Sequence, residues 1–123
     1  MNLGEIFYWT TEKAIGHESR SKYHIYVCPE DWQEGPTFLF INSGKYGDEI
    51  EIKKATYAFL ERDSFISCGL PVSYSEEELA AFNQTPVGKL TAEDLKKLFD
   101  AVADSESMEG WQVKRISVAL QKA

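Results

Sequence analysis

Both histidines of the chain, His17 and His24, fall in one short stretch, IGHESRSKYHIYVC (15–28), with Arg20 and Lys22 between them. An imidazole has an unperturbed pKa near ~6.5, so it can take or give a proton around neutrality. A guanidinium or ammonium steadies negative charge as it develops. The four side chains together could serve acid–base chemistry on an anionic substrate. With Lys13 just upstream, the stretch is also the densest basic patch and the best place for phosphate contacts. A plain reading stands beside this one: His17 as a solvated loop residue, and His24 lying along the polar face of a strand.

The whole chain limits what such a patch can be. Its 123 residues fit a single domain, and 43% hydrophobic with 27% charged residues is ordinary for a globular protein. The net charge is −7. Residues 76–109 hold nine acids against three bases, whereas 110–123 carry Lys114, Arg115 and Lys122 and no acid. A chain this acidic is a poor general nucleic-acid binder, so any such site must be local. The start, MNLGEIFYWTTEK, lacks a basic n-region, and no apolar run approaches the ~18 residues of a membrane span. The expected location is the cytoplasm, with Cys28 and Cys68 as reduced core thiols. No P-loop, GxSxG or metal-ligand spacing occurs, so no metal and no cofactor is expected.

The elements that must position these residues read as strands first and helices second. GEIFYWT (4–10) is rich in aromatic and β-branched residues. KYHIYVC (22–28) alternates Tyr23, Ile25 and Val27 against Lys22, His24 and Tyr26, the pattern of a half-buried strand. TFLFINS (37–43) is nearly continuous apolar sequence and predicts a central strand. EIEIKK (49–54), SFISC (64–68) and LPVSYS (70–75) follow, with Pro71 forcing the last to an edge or bulge. Ser75 and Glu78 form a capping box ahead of Leu79 and Phe82. Thr91 caps a second helix with a stripe of Leu95, Leu98, Phe99 and Val102. Residues 110–123 fit a helix slightly better than a strand. The fold class is mainly β with α: a strongly curved antiparallel sheet closed into a barrel, with helices packed on it.

The order of these motifs resembles the MazF/PemK toxin family of ribosome-independent endoribonucleases. GEIFYW resembles the family's opening strand, and IGHESRSKYHIYVC its glycine-containing loop and second strand. FLERDSFISCG and VGKLTAEDLKKLFDAV resemble its later strand entry and its closing helix. The resemblance covers about residues 3–104, leaving 105–123 as a C-terminal extension of the single domain. It implies an SH3-like barrel, a homodimer, single-stranded RNA as substrate, and a protein antitoxin as partner. The family's catalytic Arg-Pro falls at Tyr23 and His24, and its Gln-x-Arg-Thr at Leu70–Ser73. Its serine or threonine after the third strand falls at Asn42 or Ser43.

RNA cleavage by 2′-hydroxyl attack needs a base, an acid and a cation for the phosphorane charge. His17, Arg20, Lys22 and Ser43 are the catalytic candidates. Lys13, Arg20, Lys22, His24, Asn42 and Trp32 are the candidate RNA contacts. Ser43 could equally cap the SGKYGD turn, and Trp9 reads as core rather than surface. A metal-independent, sequence-selective endoribonuclease toxin is the leading expectation. The alternatives are a non-catalytic binding module on the same barrel and a toxin of the gyrase-poison type acting through protein contacts.

Overall fold

The computed structural model describes residues 1–13, 19–29, 35–44, 47 and 49–122. Seven strands form one antiparallel sheet: β1 (Glu5–Thr11), β2 (Arg20–Cys28), β3 (Thr37–Asn42), β4 (Glu49–Ile52), β5 (Ser64–Ser67), β6 (Val72–Ser73) and β7 (Gly88–Lys89). Among the described residues there are also three helices: α1 (Glu76–Ala80), α2 (Ala92–Ala103) and α3 (Gly110–Gln121). The strand order is β4-β5-β3-β2-β1-β7, a curled half-barrel whose path ends at β4 and β7. β5 and β6 share one edge of β3, pairing with its end at Ile41–Asn42 and its start at Thr37–Phe38 respectively. Pro71 lies immediately before β6, between the two short ladders, where its missing N–H costs no central hydrogen bond.

The sheet is covered on both faces, and each face has its own chemistry. Ile6, Ile25, Leu39, Ile41 and Ile66 face α2 and α3 in an aliphatic core. Phe7, Trp9, Tyr26, Phe38 and Tyr74 form an aromatic layer on the other face with Leu79 of α1. Trp9 is the centre of that layer, stacked on Phe82 at 4.7 Å with the planes 4° apart. A register shift between Tyr26 and Cys28 explains why Val27 and Cys28, adjacent in sequence, both belong to the aliphatic side. The alternation of β2 therefore does not mean one wet face. Its residues 24–28 are all buried, because the aromatic layer covers the face expected to be polar.

The helices follow their caps. Ser75 and Glu78 make the capping box of α1, and Thr91 accepts from the Asp94 N–H at 3.1 Å. Residues 110–121 are helical: Ile116 and Leu120 are buried, and the Gln112 side chain accepts from the Glu109 N–H at 3.0 Å. Asp94 does more than favour the helix dipole. It is buried and accepts a hydrogen bond from the Tyr57 hydroxyl, which in turn accepts from the Thr91 N–H at 3.1 Å. This clamp ties the segment after β4 to the start of α2. Cys28 and Cys68 are buried and not joined in a disulfide.

Tyr57→Phe leaves a buried carboxylate and a backbone N–H without their hydroxyl partner. The expected loss is about 1–3 kcal/mol of unfolding free energy, measured by urea titration. An unchanged midpoint would show that the clamp contributes nothing.

Candidate functional site

A polar groove of about 310 Å³ opens beside the middle of β1, the start of β2 and the end of β3, with Leu60, Glu61, Arg62 and Ser64 as its other wall. It gathers Lys22, Asn42 and Ser43 with Tyr8, Tyr23, Glu61 and Arg62. Strand pairing explains the grouping. Tyr8 stands opposite Tyr23, and Tyr23 opposite Ile41, so Lys22 and Asn42 lie at neighbouring positions across the β2–β3 ladder.

Lys22 is held rather than loose. Its Nζ donates to Asn42 Oδ1 at 2.6 Å and lies 5.9 Å from the centre of the Phe40 ring. Burial and then the nearby Arg20 charge lower its pKa from the ordinary lysine value. Arg20 itself is exposed at the start of β2. Ser43 is exposed and lines the groove.

Tyr8 and Tyr23 supply the groove's flat surface. Their ring centres are 4.5 Å apart, and Tyr8 is 45% exposed. Tyr23 is anchored from behind, donating to the Phe59 carbonyl at 3.2 Å with its ring 4.9 Å from that of Phe59. Gly88 makes room for Phe59: a Cβ there would lie 2.7 Å from the Phe59 ring. Burial first, then Tyr8 and Glu61, raise the Tyr23 pKa, so its hydroxyl stays a donor.

His24 belongs elsewhere. Expected as an RNA contact, it is 0% exposed, inside the aromatic layer, with its ring 4.5 Å from that of Trp9. Nδ1 lies 2.9 Å from the Lys22 carbonyl and Nε2 lies 2.8 Å from the Tyr74 hydroxyl. Burial pushes its pKa down to about 4, and the Lys22 charge acts the same way against the favourable carbonyl bond. The ring is therefore neutral at pH 7, with its one proton on Nδ1 facing the carbonyl. Tyr74 Oη lies 2.7 Å from Thr11 Oγ1 as well, but a hydroxyl has a single proton. With Nε2 unprotonated, that proton goes to His24, and Thr11 supplies the bond to Tyr74.

The remaining expected residues divide. Lys13 is an RNA-contact candidate by sequence, but it does not line the groove. It pairs with Glu78 at 3.7 Å and lies 5.2 Å from the Tyr74 ring centre. His17 and Trp32 lie outside the described residues. Among the described residues, no three His, Cys, Asp or Glu side chains converge as a metal-binding group. No helix there is long and apolar enough to cross a membrane. Tyr8, Tyr23, Glu61 and Arg62 were not expected in the site. The one signal in the sequence is that Tyr8 falls out of phase with Phe7 and Trp9 and so must leave the aromatic layer.

His24 makes stability depend on pH. Its folded pKa lies below the unfolded ~6.5, so the unfolded chain binds more protons between these values. The contribution is fully present above pH ~6.5 and fades as pH falls towards 4. Its full size is on the order of 3 kcal/mol. Urea titrations from pH 7 to 4 are expected to show this slope in the wild type and to lose it in His24→Phe; equal slopes would disprove the assignment. No protein-family model and no curated protein matches the chain.

Proposed function

We propose that the polar groove binds single-stranded RNA and cleaves it by attack of a 2′-hydroxyl on the adjacent phosphorus. The observation that carries this reading is the pinned Lys22 Nζ, fixed on Asn42 beside the Tyr8–Tyr23 surface. An exposed tyrosine ring stacks any base, which suits a flexible single strand. Glu61 is the carboxylate of the groove and takes the 2′ proton. Lys22, with its pKa lowered, gives a proton to the departing 5′ oxygen. Arg62 steadies the phosphorane charge, with Arg20 nearby, and Ser43 donates to a phosphate oxygen. The bond from phosphorus to the 5′ oxygen breaks as the bond to the 2′ oxygen forms. The products are a 2′,3′-cyclic phosphate and a 5′-hydroxyl. In the toxin–antitoxin setting that the family resemblance implies, a homodimer acts on messenger RNA and a protein antitoxin blocks the same groove.

The burial of His24 favours a second reading, in which the groove binds RNA without cutting it. No imidazole among the described residues reaches the groove.

Incubating the protein with long RNA in EDTA and mapping new 5′ ends tests the first reading. Cleavage is expected to fall ~10²–10³-fold in Lys22→Ala, with the circular dichroism of the folded protein retained. Tyr8→Ala is expected to weaken RNA binding by about 1–3 kcal/mol. Binding that depends on Tyr8 and Lys22, without cleavage, selects the second reading. A protein that neither binds nor cuts RNA rules out both.

A further inference from the structure

A second concavity lies at the other end of β2, where Cys28 stands, away from Lys22 and the polar groove. α3 presents Trp111, Lys114, Arg115, Val118 and Lys122 to it, spaced by three, four, seven and eleven residues, so they share one stripe of the helix. Leu3, Cys28 and Pro29 form the other wall, and the groove holds about 540 Å³. Cys28 and Ala119 are buried within it, while Trp111 and Val118 remain 44% and 45% exposed. The Trp111 ring is fixed by a hydrogen bond from Nε1 to the Glu109 carboxylate. An exposed tryptophan and an exposed valine over an apolar trough form a surface of the kind that partners use.

Charge says what kind of partner. All three cations of the last fourteen residues rim this groove, in a chain whose net charge is −7. No ion pair among the described residues occupies Lys114 or Lys122. A second copy of the chain, related by a two-fold axis through this face, would bring the cations against each other. A nucleic acid would meet the cations and leave the apolar trough unfilled. We propose that the α3 groove docks an acidic amphipathic segment of a partner protein. Apolar side chains on one face of that segment fill the space between Trp111 and Val118. Its flanking Asp and Glu residues meet Lys114, Arg115 and Lys122. This site is separate from the RNA groove and stands whether or not RNA is cut.

The test is fluorescence anisotropy of a labelled model peptide with leucines at positions i, i+3, i+4 and i+7 and glutamates elsewhere. The full-length protein is expected to bind it. Lys114→Glu combined with Lys122→Glu should weaken binding by at least about tenfold, that is 1.4 kcal/mol or more. Circular dichroism should be unchanged, because both side chains are exposed. RNA binding and cleavage should also be unchanged in that variant, which separates this site from the polar groove. Equal binding of a scrambled peptide of the same composition would overturn the proposal, as would indifference to the charge reversals. So would an oligouridine that loses affinity on reversal while the peptide does not bind.

Discussion

A neutral imidazole with hydrogen bonds to both ring nitrogens holds the centre of this protein. His24 gives its one proton to the Lys22 carbonyl and receives one from Tyr74. The first of these bonds fixes the backbone at the residue whose side chain reaches Asn42. The second links β2 to Tyr74, just beyond β6, and through Thr11 to the end of β1. Three separate segments therefore take their relative positions from one buried ring. The geometry of Lys22 depends on a residue that never touches the groove. A buried polar network of this kind is worth having only when every member is satisfied. The neutral ring satisfies His24, Tyr74 and Thr11 together.

The two faces of the sheet divide the labour. The aliphatic face takes α2 and α3, and the packing of Leu98, Val102, Ile116 and Leu120 there is ordinary hydrophobic burial. The aromatic face carries the hydrogen-bonded imidazole and the hydroxyls, where flat rings can cover polar atoms without leaving gaps. The polar groove forms where β2 begins and β3 ends, beside Tyr8 of β1. There Tyr8, Tyr23, Lys22, Glu61 and Arg62 line it alongside the core residues Ile41 and Leu60.

Much of the architecture was legible in the sequence, because caps and periodicity act locally. Ser75–Glu78, Thr91 and the stripe through Leu98 and Val102 need no knowledge of the rest of the fold. The site was less legible, since its residues meet only through strand register. Lys22, Asn42 and Ser43 line one groove, but Glu61 and Arg62 arrive there from a segment that carries no local signal of its place. His24 was misread for a specific reason. Alternation in β2 tells which residues share a face, not whether that face meets water. A distant aromatic layer decided the second question. Lys13 was misplaced for a similar reason: its partners, Glu78 and Tyr74, lie more than sixty residues along the chain.

The open path of the sheet ends at β4 and β7, and the edges of these two strands differ. β7 is two residues long and follows Pro86, so little backbone is offered there as a template. β4 is longer but carries Glu49 and Glu51, with Lys53 of the next segment bridging Glu51 and Asp63. An incoming strand would have to displace that charge cluster before it could pair. One border is guarded by brevity and the other by electrostatics. Among the described residues, neither end of the path thus offers an incoming strand a ready template.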